Sequence, residues 1–309
     1  MTSITTADLH RRGLNKHQIA QLVKSGQLVR LSRGIYLSCP DGRPADRRLL
    51  HEALASSRDD VLALESAALL HRLPTLFVPE LVTTVRPGGG RSRTSRTQAV
   101  LTGPLPAQHV TLVGDQLATS IARTVVDLTR VRGLAAGLVP WEAARWNARV
   151  EFKLPDFDAQ VAEAIDTLKG RHGIDRARQA LSMASALSQS PAETRSRLAM
   201  MDVGLPMPVQ QFEVLDERGN VVATTDFAWP ELGVLGEYDG QDKYTVLARP
   251  GETPAQVVRR EKRRQEAAES LGWVFARWGK EEVARPALLL TRVRRAFGIA
   301  ERRGHLSLA

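Results

Sequence analysis

The stretch TTADLHRRGLNKHQIAQLVKSGQLVRLSRGIYLS, residues 5–38, decides how this chain begins to fold. Thr5 or Thr6 is placed to cap a short helix running through Leu9 to Arg12, and Gly13 ends it. Asn15 caps a second helix, KHQIAQLVKSG, whose Ile19, Leu22 and Val23 recur at i, i+3 and i+4 on one face. Gly26 stops that helix, and LVRLSRGIYLS (28–38) alternates about Arg33–Gly34 as a two-stranded ribbon. Helix, tight turn, helix and basic ribbon together are the layout of a winged helix-turn-helix. In such a layout the polar face of the second helix enters the major groove and the ribbon touches phosphates. Here that face offers Lys16, His17, Gln18, Gln21 and Lys24, and the ribbon offers Arg30, Ser32 and Arg33. Glutamine can read an adenine edge through two hydrogen bonds, while Lys24 or Arg30 can hold the backbone.

The whole chain favours the same partner. Its 309 residues carry 43 Lys and Arg against 34 Asp and Glu, a formal charge of +9. Such a surplus points first to a polyanion, because bound cations release the counterions condensed on nucleic acid. The surplus is uneven: nine Lys/Arg face three acids in the first fifty residues, and RREKRR (259–264) forms a second cluster. The longest apolar run, GLAAGLVPW (133–141), is far short of the roughly 20 residues a membrane helix needs. The segment MTSITTADLH does not read as a secretory signal. A single cysteine, Cys39, excludes an internal disulfide and any multi-cysteine metal site. These features predict a cytoplasmic protein, with double-stranded DNA as partner and no membrane.

Length and pattern predict an α+β multidomain chain: a winged helix over 1–40, an α+β region over 41–155, a helical linker over 156–188 and an α/β domain over 189–309. Helices are expected near 44–57, 63–72 and 119–131, around the strand-like VPELVTTVRP, QAVLT and HVTLVG. RPGGGRSRTSR (86–96) reads as a flexible basic loop between two strands. Glu65 and Ser66 open a helix, where acid and hydroxyl satisfy free N–H groups, and Asp127 follows Arg123 at the i, i+4 ion-pair spacing.

Three blocks carry a resemblance: GLNKHQIAQLVKSGQLVRLSRGIYLS, then LALESAALLHRLP (62–74), then SIARTVVDLTR (120–130). Together they resemble the AbiEi-type antitoxins of type IV toxin–antitoxin systems, over roughly residues 5–135. The resemblance implies a DNA-binding, often autoregulatory, N-terminal module. A cognate toxin protein is a candidate further partner, which the resemblance itself does not imply.

From Ser190 the pattern becomes helix, three strands, long basic helix, strand, helix. Ser190-Pro191-Ala192-Glu193 starts a helix with cap, proline and acid in the order of a capping box. Asp226 lies in an otherwise apolar strand, and Glu237 and Asp239 end the next one. A hairpin brings Asp226 and Glu237 side by side, and crowded, partly buried carboxylates cost several kcal/mol unless compensated. Mg²⁺ or Mn²⁺ would remove that cost, polarise a phosphoryl oxygen and acidify a bound water.

SPAETRSRL, TTDFAWPE, GEYDGQDK, EKRRQEAAESLGW and WVFARW follow in order over roughly 189–280. In this order they resemble the PD-(D/E)XK nuclease superfamily (restriction-endonuclease-like), in its branch related to very-short-patch-repair endonucleases. The resemblance makes Glu193 the helix acid, Asp226 the central metal ligand and Glu237 the second. Asp239 stands where the common motif has its lysine, and Lys243 where this branch commonly has a histidine. Arg264 and Glu261 match a helix motif that supports the site or faces DNA. Helix capping also accounts for Glu193, and a turn opening for Asp239. Two readings follow: a DNA-binding protein with a Mg²⁺-dependent endonuclease domain, or a non-catalytic antitoxin-like autoregulator with a decayed nuclease fold.

Overall fold

The computed structural model describes residues 3–32, 34–38, 61–77, 79, 81–88, 90–94, 98–114, 116–239 and 253–304. The chain divides into two compact units, Met1–Ala184 and Ser185–Ala309.

The first unit opens with β1 (Ser3–Thr5), α1 (Thr6–Arg11), α2 (Lys16–Lys24), β2 (Leu28–Ser32) and β3 (Ile35–Ser38). Both helix starts are reciprocal caps. The Thr5 hydroxyl accepts from the Asp8 N–H while the Asp8 carboxylate accepts from the Thr5 N–H, and Asn15 and Gln18 repeat the arrangement. The ribbon β2–β3 is antiparallel, with Gly34 at φ +85° in its turn. A third strand, β1, pairs with β3 in the order β1-β3-β2. At three residues it is too short to show alternation in sequence. Ile4, Leu9, Ile19, Leu28 and Tyr36 close a small core, with Leu14, Leu22 and Val23 packed against it.

The rest of this unit is a six-stranded sheet with helices. Its elements are β4 (Val61–Leu62), α3 (Leu64–Leu70), β5 (Val82–Pro87), β6 (Arg93–Thr94), β7 (Gln98–Gly103), β8 (Val110–Val113), β9 (Gln116–Thr119), α4 (Ile121–Arg132) and α5 (Leu134–Val150). The strand order is β6-β7-β5-β4-β9-β8. The helix expected near 44–57 lies outside the described residues. The apolar run 133–141 is the first half of α5 despite Pro140, because Leu138, Val139 and Trp141 are all buried and packing outweighs the lost hydrogen bond. Gly137 lets α5 approach α4 closely, since a methyl there would collide with Thr129.

Arg123 and Asp127 form the expected ion pair on α4, 2.7 Å apart and 1% and 2% exposed. Asp127 also accepts from Arg130, and Arg123 donates to the Pro104 carbonyl and to His109 Nδ1. Buried Glu65 pairs with Arg132, and Ser66 Oγ accepts from the Thr83 N–H. Two further helices, α6 (Leu154–Thr167) and α7 (Ile174–Met183), bury Phe157, Val161, Ile165 and Ala177 and pack on α4. These two helices, read from sequence as the bulk of a 156–188 linker, therefore belong to the core of the first unit, which ends at Ala184.

The second unit runs α8 (Pro191–Asp202), β10 (Val209–Leu215), β11 (Val221–Trp229), β12 (Val234–Tyr238), α9 (Pro254–Ser270), β13 (Val274–Trp278), α10 (Lys280–Ala284) and α11 (Pro286–Arg302). The sheet order is β10-β11-β12-β13, antiparallel except for the parallel pair β12–β13. One face presents Phe227, Trp229, Val234, Val274, Ala276 and Trp278 to α8, α10 and α11. The other presents Val214, Ala223, Ala228 and Leu235 to Ala268 of α9. Trp229 and Trp278 are buried, with indole N–H groups on the Pro206 carbonyl and Ser196 Oγ. Trp273 is half-buried beside Phe212. Among the described residues no helix is long and apolar enough to cross a membrane.

Candidate functional site

Lys16, His17, Gln18, Gln21, Lys24 and Arg30 are all exposed. The caps and the buried stripe of Ile19 fix α2 so that its polar face turns outward. Gln18 is partly committed, because its Oε1 accepts from the Asn15 N–H at 2.9 Å. Gln21 is engaged in turn, its Nε2 lying 3.2 Å from His17 Nε2. Among the described residues no carboxylate pairs with Lys16, Lys24 or Arg30. Arg33 lies outside the described residues. Charge is divided unequally: residues 1–184 hold 25 Lys/Arg against 17 acids, and residues 185–309 hold 18 against 17. Nearly all of the excess positive charge therefore sits on the unit that carries the winged helix.

In the second unit, Glu193, Asp226 and Glu237 are drawn toward one end of the sheet. Glu193 is the third residue of α8 and is buried. Its carboxylate accepts from the Gln189 N–H (3.0 Å), Ser190 Oγ (2.8 Å) and Gln211 Nε2 (3.1 Å). The β11–β12 ladder runs from Trp229↔Val234 to Phe227↔Gly236, and beyond it the Tyr238 N–H donates to Asp226 Oδ2 at 2.9 Å. Burial, and after it the negative charge of Asp226, push the Glu193 carboxyl above the ordinary glutamate range, against the pull of its hydrogen bonds. Gln211, which the sequence pattern does not single out, sits on β10 between residues that pair with Phe227 and Thr225. Its φ of +50° is the left-handed region, a strain of about 1–3 kcal/mol for a residue with a side chain. The only sequence signal for it is the polar pair Gln210-Gln211 at the start of a strand.

The raised Glu193 has a consequence for stability. A carboxyl that binds its proton more tightly when folded stabilises fully below its ordinary pKa, and that contribution is lost as pH rises through the folded value. Glu193→Gln keeps the shape and has no proton to lose. We expect its melting temperature to gain on the native chain between acid and neutral pH, followed by calorimetry across that range. A difference that stays constant with pH would contradict the burial argument.

Glu237 is arranged differently. Its Oε1 accepts from Arg264 Nη2 at 2.5 Å and its Oε2 from Arg277 Nε at 3.0 Å. Arg264 also holds Glu261 (3.0 Å) and the Thr224 carbonyl. Glu237 and Arg277 are register partners on the parallel strands β12 and β13. Neither arginine adjoins Glu237 in sequence, so a local reading misses the compensation. Asp239 is exposed and extends the strand through its N–H to the Trp278 carbonyl. Lys243 lies outside the described residues.

Residues 4–38 match the family described as transcriptional regulator, AbiEi antitoxin. The match spans β1 to β3, the segment built as a winged helix, and supports a DNA-binding regulator. Two uncharacterized proteins of Mycobacterium tuberculosis, from strains CDC 1551 / Oshkosh and ATCC 25618 / H37Rv, are each 27% identical over 295 residues, covering 94% of this chain and 100% of theirs. A crystal structure of the RV2827C protein of the same organism matches with 70% of this chain and 84% of its own covered, at 16% identity and a TM-score of 0.40.

The residue set expected to hold Mg²⁺ fits such an ion unevenly. Glu193 and Asp226 have the crowding of like charges that a cation relieves. Glu237 has both oxygens engaged by guanidinium groups and would have to release one of them to become a ligand. Among the described residues no three His, Cys, Asp or Glu side chains converge as a cation cage.

Proposed function

We propose that the chain is a DNA-binding regulator of the antitoxin type. Its winged helix engages duplex DNA, and its partner in that role is a cognate toxin protein. The observation that carries this reading is the exposed, acid-free set Lys16, Lys24 and Arg30 on α2 and β2, within the segment that matches the regulator family. Lys16 and Lys24 contact phosphates, and Gln21 reads a base edge. Under this reading the second unit serves as a scaffold or dock, with Glu237 locked by Arg264 and Arg277.

Binding to a duplex carrying the DNA upstream of the chain's own coding sequence tests the proposal. Lys16→Ala and Lys24→Ala should each flatten the slope of log K against log salt by about 0.9, equally on specific and scrambled duplexes. Gln21→Ala should narrow the gap between the two duplexes, by about 1–3 kcal/mol for a lost bidentate contact. Unchanged slopes and unchanged discrimination would refute the assignment of α2 as the reading helix.

A second reading, phosphodiester hydrolysis by the second unit, is favoured by its element order α-β-β-β-α-β and by the crowding of Glu193 with Asp226. A bound Mg²⁺ or Mn²⁺ would supply Lewis acidity and an acidified water. Glu193 and Asp226 would hold the ion, with Gln211 orienting Glu193. Plasmid and linear DNA incubated with Mg²⁺ or Mn²⁺, beside an Asp226→Ala control, separates the readings: cutting that the variant abolishes establishes the nuclease, and intact DNA with specific binding retained establishes the regulator.

A further inference from the structure

The basic loop at 86–94 is not used by the winged helix, and the fold gives it a setting the sequence does not show. From Leu81 to Gly114 the chain contains no Asp or Glu, yet Arg86, Arg91 and Arg93 fall within this stretch and all three are exposed. They converge around the end of β7. Arg93 is the register partner of Val100, and Arg86 that of Thr102. The hydroxyl of Thr102 donates to the Gly90 carbonyl at 2.5 Å, which ties the loop down on the sheet. A fourth cation arrives from far along the chain: Arg171, in the turn between α6 and α7, lies against Gly103, its Nη2 3.8 Å from where a Cβ would stand. Lys169 and His172 flank it, both exposed. Among the described residues no carboxylate pairs with Arg91, Arg93 or Arg171.

Gathering Arg91, Arg93 and Arg171 from two separate segments without acids is unfavourable by about 1 kcal/mol for each pair of like charges in contact in water, less at greater separation and in salt. Phosphates reverse that sign, and arginine forks match them through paired hydrogen bonds. We infer that the β6–β7 edge with the α6–α7 turn is a second phosphate-backbone contact for duplex DNA, made by Arg91, Arg93 and Arg171 of the unit that carries the winged helix. The inference rests on the reading of the first unit as a duplex-DNA binder. The patch has an auxiliary role in that reading. It lengthens the footprint and raises affinity, while sequence discrimination stays with α2.

The test uses the full chain, a duplex carrying the DNA upstream of its own coding sequence, and a scrambled duplex of equal length. Arg91→Ala/Arg93→Ala/Arg171→Ala changes only exposed side chains, and circular dichroism confirms its fold. The triple variant should lower the salt slope by about 2–3, at about 0.9 per contact, on both duplexes. Its nuclease-protection footprint should shorten at one or both ends, with the ratio between the duplexes unchanged. A native chain that binds neither duplex overturns the reading of the first unit and this inference together. A native chain that binds, with a triple variant of unchanged slope and footprint, overturns this inference alone. So does displacement of the native chain by single- or double-stranded RNA more readily than by duplex DNA.

Discussion

Asp127→Ala should unfold the first unit more readily than any surface change, by about 3–5 kcal/mol, because it strands a buried cation. Arg123 is 1% exposed and its Nε donates to Asp127 Oδ2 at 2.7 Å. Its other partners, the Pro104 carbonyl and His109 Nδ1, are neutral acceptors that do not replace a carboxylate. His109 is held neutral first by burial and then by the charge of Arg123 itself, so it does not take up the deficit. Arg130, 18% exposed, can turn to solvent and adds little. Replacing the pair together, Arg123→Met with Asp127→Leu, removes both charges at similar volume and should recover most of the loss. Calorimetry on the full chain reads both variants. A single variant that melts like the native chain, or a double variant worse than the single, would show that the ion pair is not what holds α4 in place.

That pair was legible in the sequence because its two members lie four residues apart on one helix. The winged helix was legible for a related reason. Its caps, its apolar stripe and its ribbon turn are all local, and each residue needed to recognise them lies close along the chain to the next. Glu237 shows where this ends. Its acid was visible and its partners were not, because Arg264 and Arg277 reach it from α9 and β13, 27 and 40 residues away. The same is true of Arg171 beside the 86–94 loop, and of Gln211, whose meaning lies in a backbone angle no composition reports. Pro140 inside α5 is a reversed case: a local signal for a break was outweighed by the burial of Trp141 and its neighbours. Side-chain chemistry is local information, whereas compensation of charge is a property of the fold.

Trp278→Ala should cost the second unit about 3–5 kcal/mol, the loss typical of emptying a large aromatic site. Trp278 is 1% exposed, its ring centroid is 5.5 Å from that of Phe227, and its N–H donates to Ser196 Oγ on α8. It also decides why residue 236 is glycine. A Cβ built there would lie 2.7 Å from Trp278 Cη2 and 3.1 Å from Phe227 Cβ, so β12 passes flush against the indole. Gly236→Ala should therefore lose about 1–3 kcal/mol by overpacking. Combined with Trp278→Phe, which withdraws the colliding edge of the ring, it should cost less than the two single losses added together. Because residue 236 precedes Glu237, a strand pushed off the indole also shifts that carboxylate relative to Arg264 and Arg277, whose hold depends on register. Thermal unfolding of the two single variants and the double closes the cycle. Strict additivity would mean that glycine and tryptophan are not coupled.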